Sequence, residues 1–351
     1  MADHDSGADK APAPARLTVD VGVFAHNKAA VIADTLQDLL AQQALAAHDL
    51  RIVVLVNGCT DATPQIVADL AARHPAIVPV FLPKSGKSRA WNSFVHDESR
   101  STCDILIFAD ADIRLPDPAT LSRLIAALEA DDRLHAVNSR PIKDLALLDR
   151  RLTPVEKLIV ASAETANDWR QAICGQLYAM PAARARGYSL PIGLPVEDGF
   201  LHALIATDNF DSPPVGFRVD GSEASHIYES ERTIPALVRH QIRIVIGSAI
   251  NEAIFRTLES SDRAGRRALL AQAAQSDDWL PAFLRRALPR FPYGYVSVHF
   301  LIKRSQRALA HPRALLHPRR LLIFLAGAAF DLLVYLLAQL RMARGVGAGF
   351  W

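Results

Sequence analysis

From Leu17 onward, short runs of aliphatic and β-branched residues alternate with stretches whose apolar positions recur every three to four residues. The first pattern suits strands and the second amphipathic helices. Strands are predicted at 17–25 (LTVDVGVFA), 51–56 (RIVVLV), 77–82 (IVPVFL) and 104–109 (DILIFA), with helices near 29–43, 64–74, 87–98 and 118–130. Strand and helix in this alternation predict an α/β layer with a largely parallel sheet over about the first two-thirds of the chain. Thr63-Pro64 reads as a helix start with the threonine as cap, and Thr153-Pro154-Val155-Glu156 as a capping box.

After about residue 231 the pattern changes. Residues 234–258 predict one long helix with Arg239, His240 and Arg243 on its polar positions, and basic, proline-punctuated segments follow. Leu321–Leu340 (LLIFLAGAAFDLLVYLLAQL) has the length of a membrane-spanning helix. Asp331 at its centre costs about 2.5 to 3.5 kcal/mol on insertion scales, which the surrounding leucines outweigh. Lys303, Arg304, Arg307, Arg313, Arg319 and Arg320 precede the segment and only Arg341 and Arg344 follow it. If it spans, this bias keeps the preceding domain in the cytoplasm, at the inner (plasma) membrane. The expected organisation is a disordered tail (1–16), an α/β domain (17–230), a helical membrane-interface region (231–320), a transmembrane helix (321–340) and a short tail (341–351).

Composition narrows this little. Of 351 residues, 50% are apolar and 22% charged, which predicts a globular chain. A net charge of +2 without a basic stripe gives no reason to expect nucleic acid. Cys59, Cys103 and Cys174 form no CxxC pair and no metal-ligand spacing, which predicts a reducing compartment. The first sixteen residues lack the basic start and apolar middle of a signal peptide.

Chemistry concentrates at the end of the fourth strand, where FADADI runs an apolar segment straight into Asp110 and Asp112. In open α/β sheets ligands bind beyond the carboxyl ends of the strands. Residues i and i+2 of an extended segment share a face, so both carboxylates can converge on one hard divalent cation, Mg²⁺ or Mn²⁺. Such a cation bridges two phosphates and neutralises the charge on a departing nucleoside diphosphate. Gly86-Lys87 at a helix start adds a close-approach glycine, a helix N-terminus and a mobile positive charge, all suited to an anion.

Four further segments in the right order make residues 17 to 247 resemble the family-2 inverting glycosyltransferases with the GT-A fold, a Rossmann-like mixed sheet with helices on both faces. Val23-Phe24-Ala25-His26-Asn27 resembles the first nucleotide loop, with Lys28 in place of the family's acid. Asn57-Gly58-Cys59-Thr60-Asp61-Ala62-Thr63 resembles the second, with Asn57 where the family often has the aspartate that reads the base. Gly86-Lys87-Ser88-Arg89-Ala90-Trp91-Asn92 resembles the Gly-Lys-x-x-Ala-x-Asn helix start. Glu197-Asp198 is similar to the acid pair behind the acceptor site.

The resemblance implies Phe24, Ala25, Asn27, Asn57, Asp61, Lys87, Asp110 and Arg243 around the donor, and Asp110 with Asp112 on the metal. It implies Asp198 as catalytic base, with Glu197, Gly175 and His240 on the acceptor side. His226 is a further candidate metal ligand, as a late histidine is in some GT-A enzymes. Arg239-His240-Gln241-Ile242-Arg243-Ile244 falls where membrane-linked relatives carry Gln-x-x-Arg-Trp, and the absent tryptophan disfavours long-chain polymerisation.

The expectation is transfer of a single sugar, UDP-linked by family frequency, from a nucleotide donor to a membrane lipid or lipid-linked glycan. A nucleotidyltransferase would want a glycine- and basic-rich loop after the first strand, where VFAHNKAA offers only Lys28. A non-catalytic membrane-tethered sensor would be expected to have lost acids that are all present here.

Overall fold

The computed structural model describes residues 16–150, 168–288, 294–302 and 318–345, together with Leu152, Thr153, Glu156 and Gln306. The expected disordered tail, most of the basic run before the apolar helix, and the last residues lie outside these. Eight strands form one sheet in the order β3-β2-β1-β4-β7-β6-β8-β5. β1 (Thr18–Ala25), β2 (Asp49–Asn57), β3 (Ile77–Leu82) and β4 (Ile105–Asp110) are mutually parallel, as the alternation predicts.

Beyond β4 the sheet becomes mixed. β7 (Leu177–Pro181) runs antiparallel to both β4 and β6 (Ala136–Lys143); β8 (Val219–Tyr228) runs parallel to β6 and antiparallel to β5 (Ile113–Arg114). β6 and β8 give no apolar run because small and polar side chains fill their buried positions, among them Asn138, Ser139, Ser222 and His226.

Both sheet faces are covered. Along β1, Val19, Val21 and Val23 enter one apolar cluster with α1 (Ile32–Leu40), α3 (Thr63–Ala71) and α5 (Thr120–Ala130), while Phe24 enters the other. Between α1 and α3 lies the short α2 (Ala44–Ala47). The second cluster packs under α4 (Lys87–Ser93), α6 (Ala182–Ala185), α7 (Glu197–Thr207) and α8 (Ile234–Glu259). It continues through α9 (Arg263–Gln275) and α10 (Trp279–Ala287) to α11 (Pro318–Ala343). One contiguous core therefore joins the α/β layer to the C-terminal helices.

Two local expectations change. Thr63 is not the cap of α3 but its first residue; its N–H donates to Asp61 Oδ1 (3.0 Å), and its hydroxyl accepts from the Lys28 N–H (2.8 Å). The carboxylate two residues back is the stronger acceptor, so it takes the capping role. The helix expected at 87–98 is α-helical only to Ser93 and widens into a π turn over Phe94–Glu98. The capping box forms: Thr153 N–H donates to Glu156 Oε2 (2.8 Å) and Glu156 N–H to Thr153 Oγ1 (3.3 Å).

α11 is long and apolar enough to cross a membrane by length and composition, and 11% of its most apolar 18-residue window is buried. Its C-terminal half packs on α8, burying Val334, Ala338 and Met342.

α8 approaches the segment before α7 so closely that a Cβ on Gly247 would lie 2.4 Å from Val196 Cγ2 and 3.1 Å from the Val196 nitrogen. Asn251, one turn on, donates to the Val196 carbonyl (2.9 Å). We expect Gly247→Ala to lower the unfolding free energy by about 1 to 3 kcal/mol through overpacking. Gly216→Ala, with nothing within 4 Å of the added carbon, should be neutral. Urea titrations of the two variants check this.

Candidate active site

The carboxyl ends of β1, β2 and β4 open toward the N-termini of α4 and α7, and the predicted residues gather there. Asp110 is the last residue of β4 and Asp112 sits in the turn leading to β5. Gly86 precedes α4 with φ 134°, a conformation glycine adopts without strain, and delivers Lys87 as the first helical residue. The Lys87 ammonium lies 2.7 Å from Asp110 Oδ1 and 3.1 Å from Glu197 Oε1, and donates to the Gly175 carbonyl at 2.9 Å. Glu197, expected on the acceptor side, is thus engaged by the same cation as Asp110.

Asp198 follows on α7, partly buried, its Oδ1 accepting the Gly199 N–H. Gly175 admits it, since a Cβ at that position would meet Asp198 Cβ at 3.0 Å and Oδ2 at 3.1 Å.

Electrostatics follow from this crowding. Burial opposes the charge of Lys87, yet Asp110 and Glu197 outweigh it and raise the lysine above its ordinary value. Burial raises Asp110 to about 6, Lys87 opposing and Asp112 and Glu197 adding to the rise. Asp198 is also pushed up to about 6, by burial and then by Glu197, against Lys87, the Gly199 N–H and Arg243. Arg243, on α8, is therefore the more distant cation of the group. His240, one turn before it, has a nitrogen 3.9 Å from a Glu231 carboxylate oxygen, and burial and Arg243 lower its pKa.

The loops that follow β1 and β2 are stapled to each other. Asn57 is fully buried: its amide donates to the Ala25 carbonyl (3.0 Å) and accepts the Gly86 N–H (3.0 Å), tying the ends of β1 and β2 to the start of α4. Asn27, with φ 52°, accepts the Thr60 N–H on its Oδ1 (2.8 Å). Asp61 accepts the N–H groups of Ala29 and Thr63, both at 3.0 Å. Phe24 and Ala25 are buried beneath, Phe24 against the rings of Phe94 and Phe108. At Asn57 the substitution for aspartate has a local reason, because only an amide can donate to Ala25 while accepting from Gly86.

His226 is buried in β8 with both ring nitrogens engaged, one by the Ser139 hydroxyl (2.9 Å) and one by Gln176 Oε1 (3.0 Å), and burial lowers its pKa to about 4. It ties β8 to β6 and to the start of β7, so the metal reading is left to Asp110 and Asp112. Gln176, whose carbonyl accepts the Asp110 N–H (2.8 Å), lies in the segment 174–180 that resembles the floor of the family's donor-sugar pocket, whereas sequence reasoning missed Asn251 and Gly247. Neither belongs to a charge pattern or period that could have singled it out.

Among the described residues no group of three or more His, Cys, Asp and Glu side chains is gathered for a metal ion. The donor set nevertheless fits a hard divalent cation that shares its shell with phosphate: two carboxylates, each already drawing an ammonium, Asp110 that of Lys87 and Asp112 that of Lys28.

The mixed eight-stranded sheet with helices on both faces is a GT-A-like fold. Residues 20–179 match the family model described as Glycosyl transferase family 2. The chain is accordingly a glycosyltransferase that uses nucleotide sugars.

The mannosyltransferase PcManGT from Pyrobaculum calidifontis, solved with GDP-Man and Mn²⁺, shares the fold at 19% identity and TM-score 0.54, over 95% of this chain and 88% of that one. Glucosyl-3-phosphoglycerate synthase from Mycobacterium tuberculosis, with Mg²⁺ and UDP, aligns at 19% identity and TM-score 0.44 over 71% and 82%. S. aureus TarS 1-349 with UDP-GlcNAc aligns at 15% identity and TM-score 0.43 over 94% and 92%. No curated protein matches the chain by sequence.

Lys87 is the common partner of the acids, which gives its loss a defined pH dependence. Carboxyls whose folded pKa is raised cost stability as pH climbs from the unfolded value near 4 through about 6, and Lys87 limits that cost. Lys87→Met should therefore lose about 3 kcal/mol relative to wild type at pH 8 and clearly less at pH 5, where Asp110 and Asp198 are mostly protonated. Denaturation at the two pH values checks this.

Proposed function

We propose that the chain transfers one sugar, with inversion, from a nucleotide-diphosphate sugar to a lipid or lipid-linked glycan at a membrane surface. The observation that carries the transfer is Asp198, which lies beside Gly175 at the start of α7, next to the Glu197 that Lys87 ties to Asp110, and whose carboxyl burial pushes up to about 6.

Asp198 takes the proton of the acceptor hydroxyl as that oxygen attacks the anomeric carbon. The bond from that carbon to the diphosphate oxygen breaks, and the nucleoside diphosphate leaves with the electron pair. Asp110 and Asp112 would hold Mg²⁺ or Mn²⁺, which, when bound, offsets the negative charge gathering on the leaving diphosphate. Lys87 fixes Asp110 in place, and the bracket at Asn57 holds the loops that enclose the nucleotide. Arg243 adds positive charge beside Asp198 on the acceptor side. The family resemblance favours a UDP-linked donor.

Ionised Asp198 is the active form, so kcat/KM should rise with pH through about 6 and level off above it. In Asp198→Asn, donor should still bind while kcat falls by roughly 10²- to 10⁴-fold. Near-normal turnover in that variant would exclude Asp198 as the base. UDP- and GDP-sugars offered with a membrane-lipid extract, and the product read by mass, identify donor and acceptor together.

Membrane association rests on α11. The helix meets the core from Phe330 to Met342, which leaves residues 318–329 beyond the docked part. At 1.5 Å per residue these extend about 18 Å, short of a hydrocarbon core of about 30 Å. Leu322, Leu325, Leu332, Leu336 and Leu340 remain exposed along the helix, Leu322 at 68%. Arg320 and Arg344 are exposed at its two ends. This favours a helix lying along the cytoplasmic face of the membrane, leucines in the lipid and arginines among anionic headgroups. Full-length protein should cosediment with anionic vesicles, and Leu322→Glu, Leu325→Glu and Leu336→Glu combined should release it. Equal sedimentation of the triple variant would rule out this face.

A further inference from the structure

Lys28 stands where the family resemblance places an acid, and its ammonium lies 2.5 Å from Asp112 Oδ2. The backbone that carries it is held from several sides. Its N–H donates to Thr63 Oγ1 (2.8 Å), and its carbonyl accepts the N–H groups of Val31 (3.0 Å) and Ile32 (2.9 Å). The neighbouring Ala29 N–H is taken by Asp61 and the Asn27 side chain by Thr60. The loop therefore aims the side chain at Asp112, while Lys28 and Asp112 themselves stay about one-third exposed, at 33% and 35%.

This pair differs from its neighbour. Lys87 is locked by Asp110, Glu197 and the Gly175 carbonyl, whereas among the described residues the Lys28 ammonium is held by Asp112. A divalent cation accepted by Asp112 would meet that ammonium at close range, and like charges at such a separation oppose each other strongly outside bulk water. An ammonium on a flexible stem is also a good point-charge partner for phosphate.

We propose that Lys28 is an internal counter-ion that keeps Asp112 closed to metal until the donor arrives. The diphosphate then draws the ammonium away and frees the carboxylate. Metal and nucleotide thus bind with positive coupling, each strengthening the other by the same factor. The proposal rests on Asp110 and Asp112 being the metal ligands.

The test titrates MnCl₂ into full-length wild type, Lys28→Met and Lys28→Arg, reading free Mn²⁺ by electron paramagnetic resonance without nucleotide and with UDP or GDP. Lys28→Met should bind Mn²⁺ alone at least about ten-fold more tightly than wild type, with Lys28→Arg within about two-fold of wild type. Adding the diphosphate should tighten Mn²⁺ more in wild type than in Lys28→Met. Lys28→Gln, of similar reach, gives the same reading if the methionine variant fails to fold. Equal or weaker Mn²⁺ binding by the uncharged variants overturns the role of Lys28 while leaving the metal ligands standing. No Mn²⁺ binding by any of the proteins, even with either diphosphate, overturns the metal reading and this proposal together.

Discussion

The site depends on one buried ammonium. Asp110, Glu197 and Asp198 converge from β4 and α7 into a space that burial makes costly for any charge, and Lys87 makes their convergence tolerable. Without a cation there, the acids would be driven apart or protonated. The N-terminus of α4 reinforces the arrangement, because its orphan amides also favour negative charge. The charge of these acids is thus balanced within the folded chain itself, which is the form electrostatic preorganisation takes in an enzyme.

Around that ion the loops are fixed by side chains that resemble ligand-binding residues and carry structural bonds. Asn57, Asn27 and Asp61 all receive backbone N–H groups, and Asn57 also returns one to Ala25. Loops beyond the strand ends must keep their shape without a sheet ladder to hold them, so polar side chains act as cross-links. Asp20, fully buried in β1, does the same work at the other end of the sheet, gripped by Arg51 and Arg100.

The C-terminal helices are part of this balance and not an appendage. Gly247 and Asn251 on α8 set where Val196, and hence Glu197 and Asp198, can lie. The same helix carries Arg243 and receives α11. Lys84 and Arg89, on either side of the start of α4, both reach Asp277 just before α10. The exposed apolar helix α11 is thus linked through α8 to the acids at the start of α7, and all three belong to one core.

The sequence by itself determined the parallel half of the sheet, because β1 to β4 are continuous apolar runs whose burial needs no partner to be legible. It also picked out Asp110 and Lys87, since an acid at a strand end and a lysine at a helix start are local signals, while Glu197-Asp198 joined them through the family resemblance. Only the tertiary structure decided the mixed half, where β6 and β8 fill buried positions with serine, asparagine and histidine that find partners across strands. It alone moved Glu197 onto Lys87, engaged both nitrogens of His226 and set Lys28 against Asp112. Each of these outcomes is a pairing between residues dozens of positions apart, and such a pairing leaves no periodicity in the chain to be read.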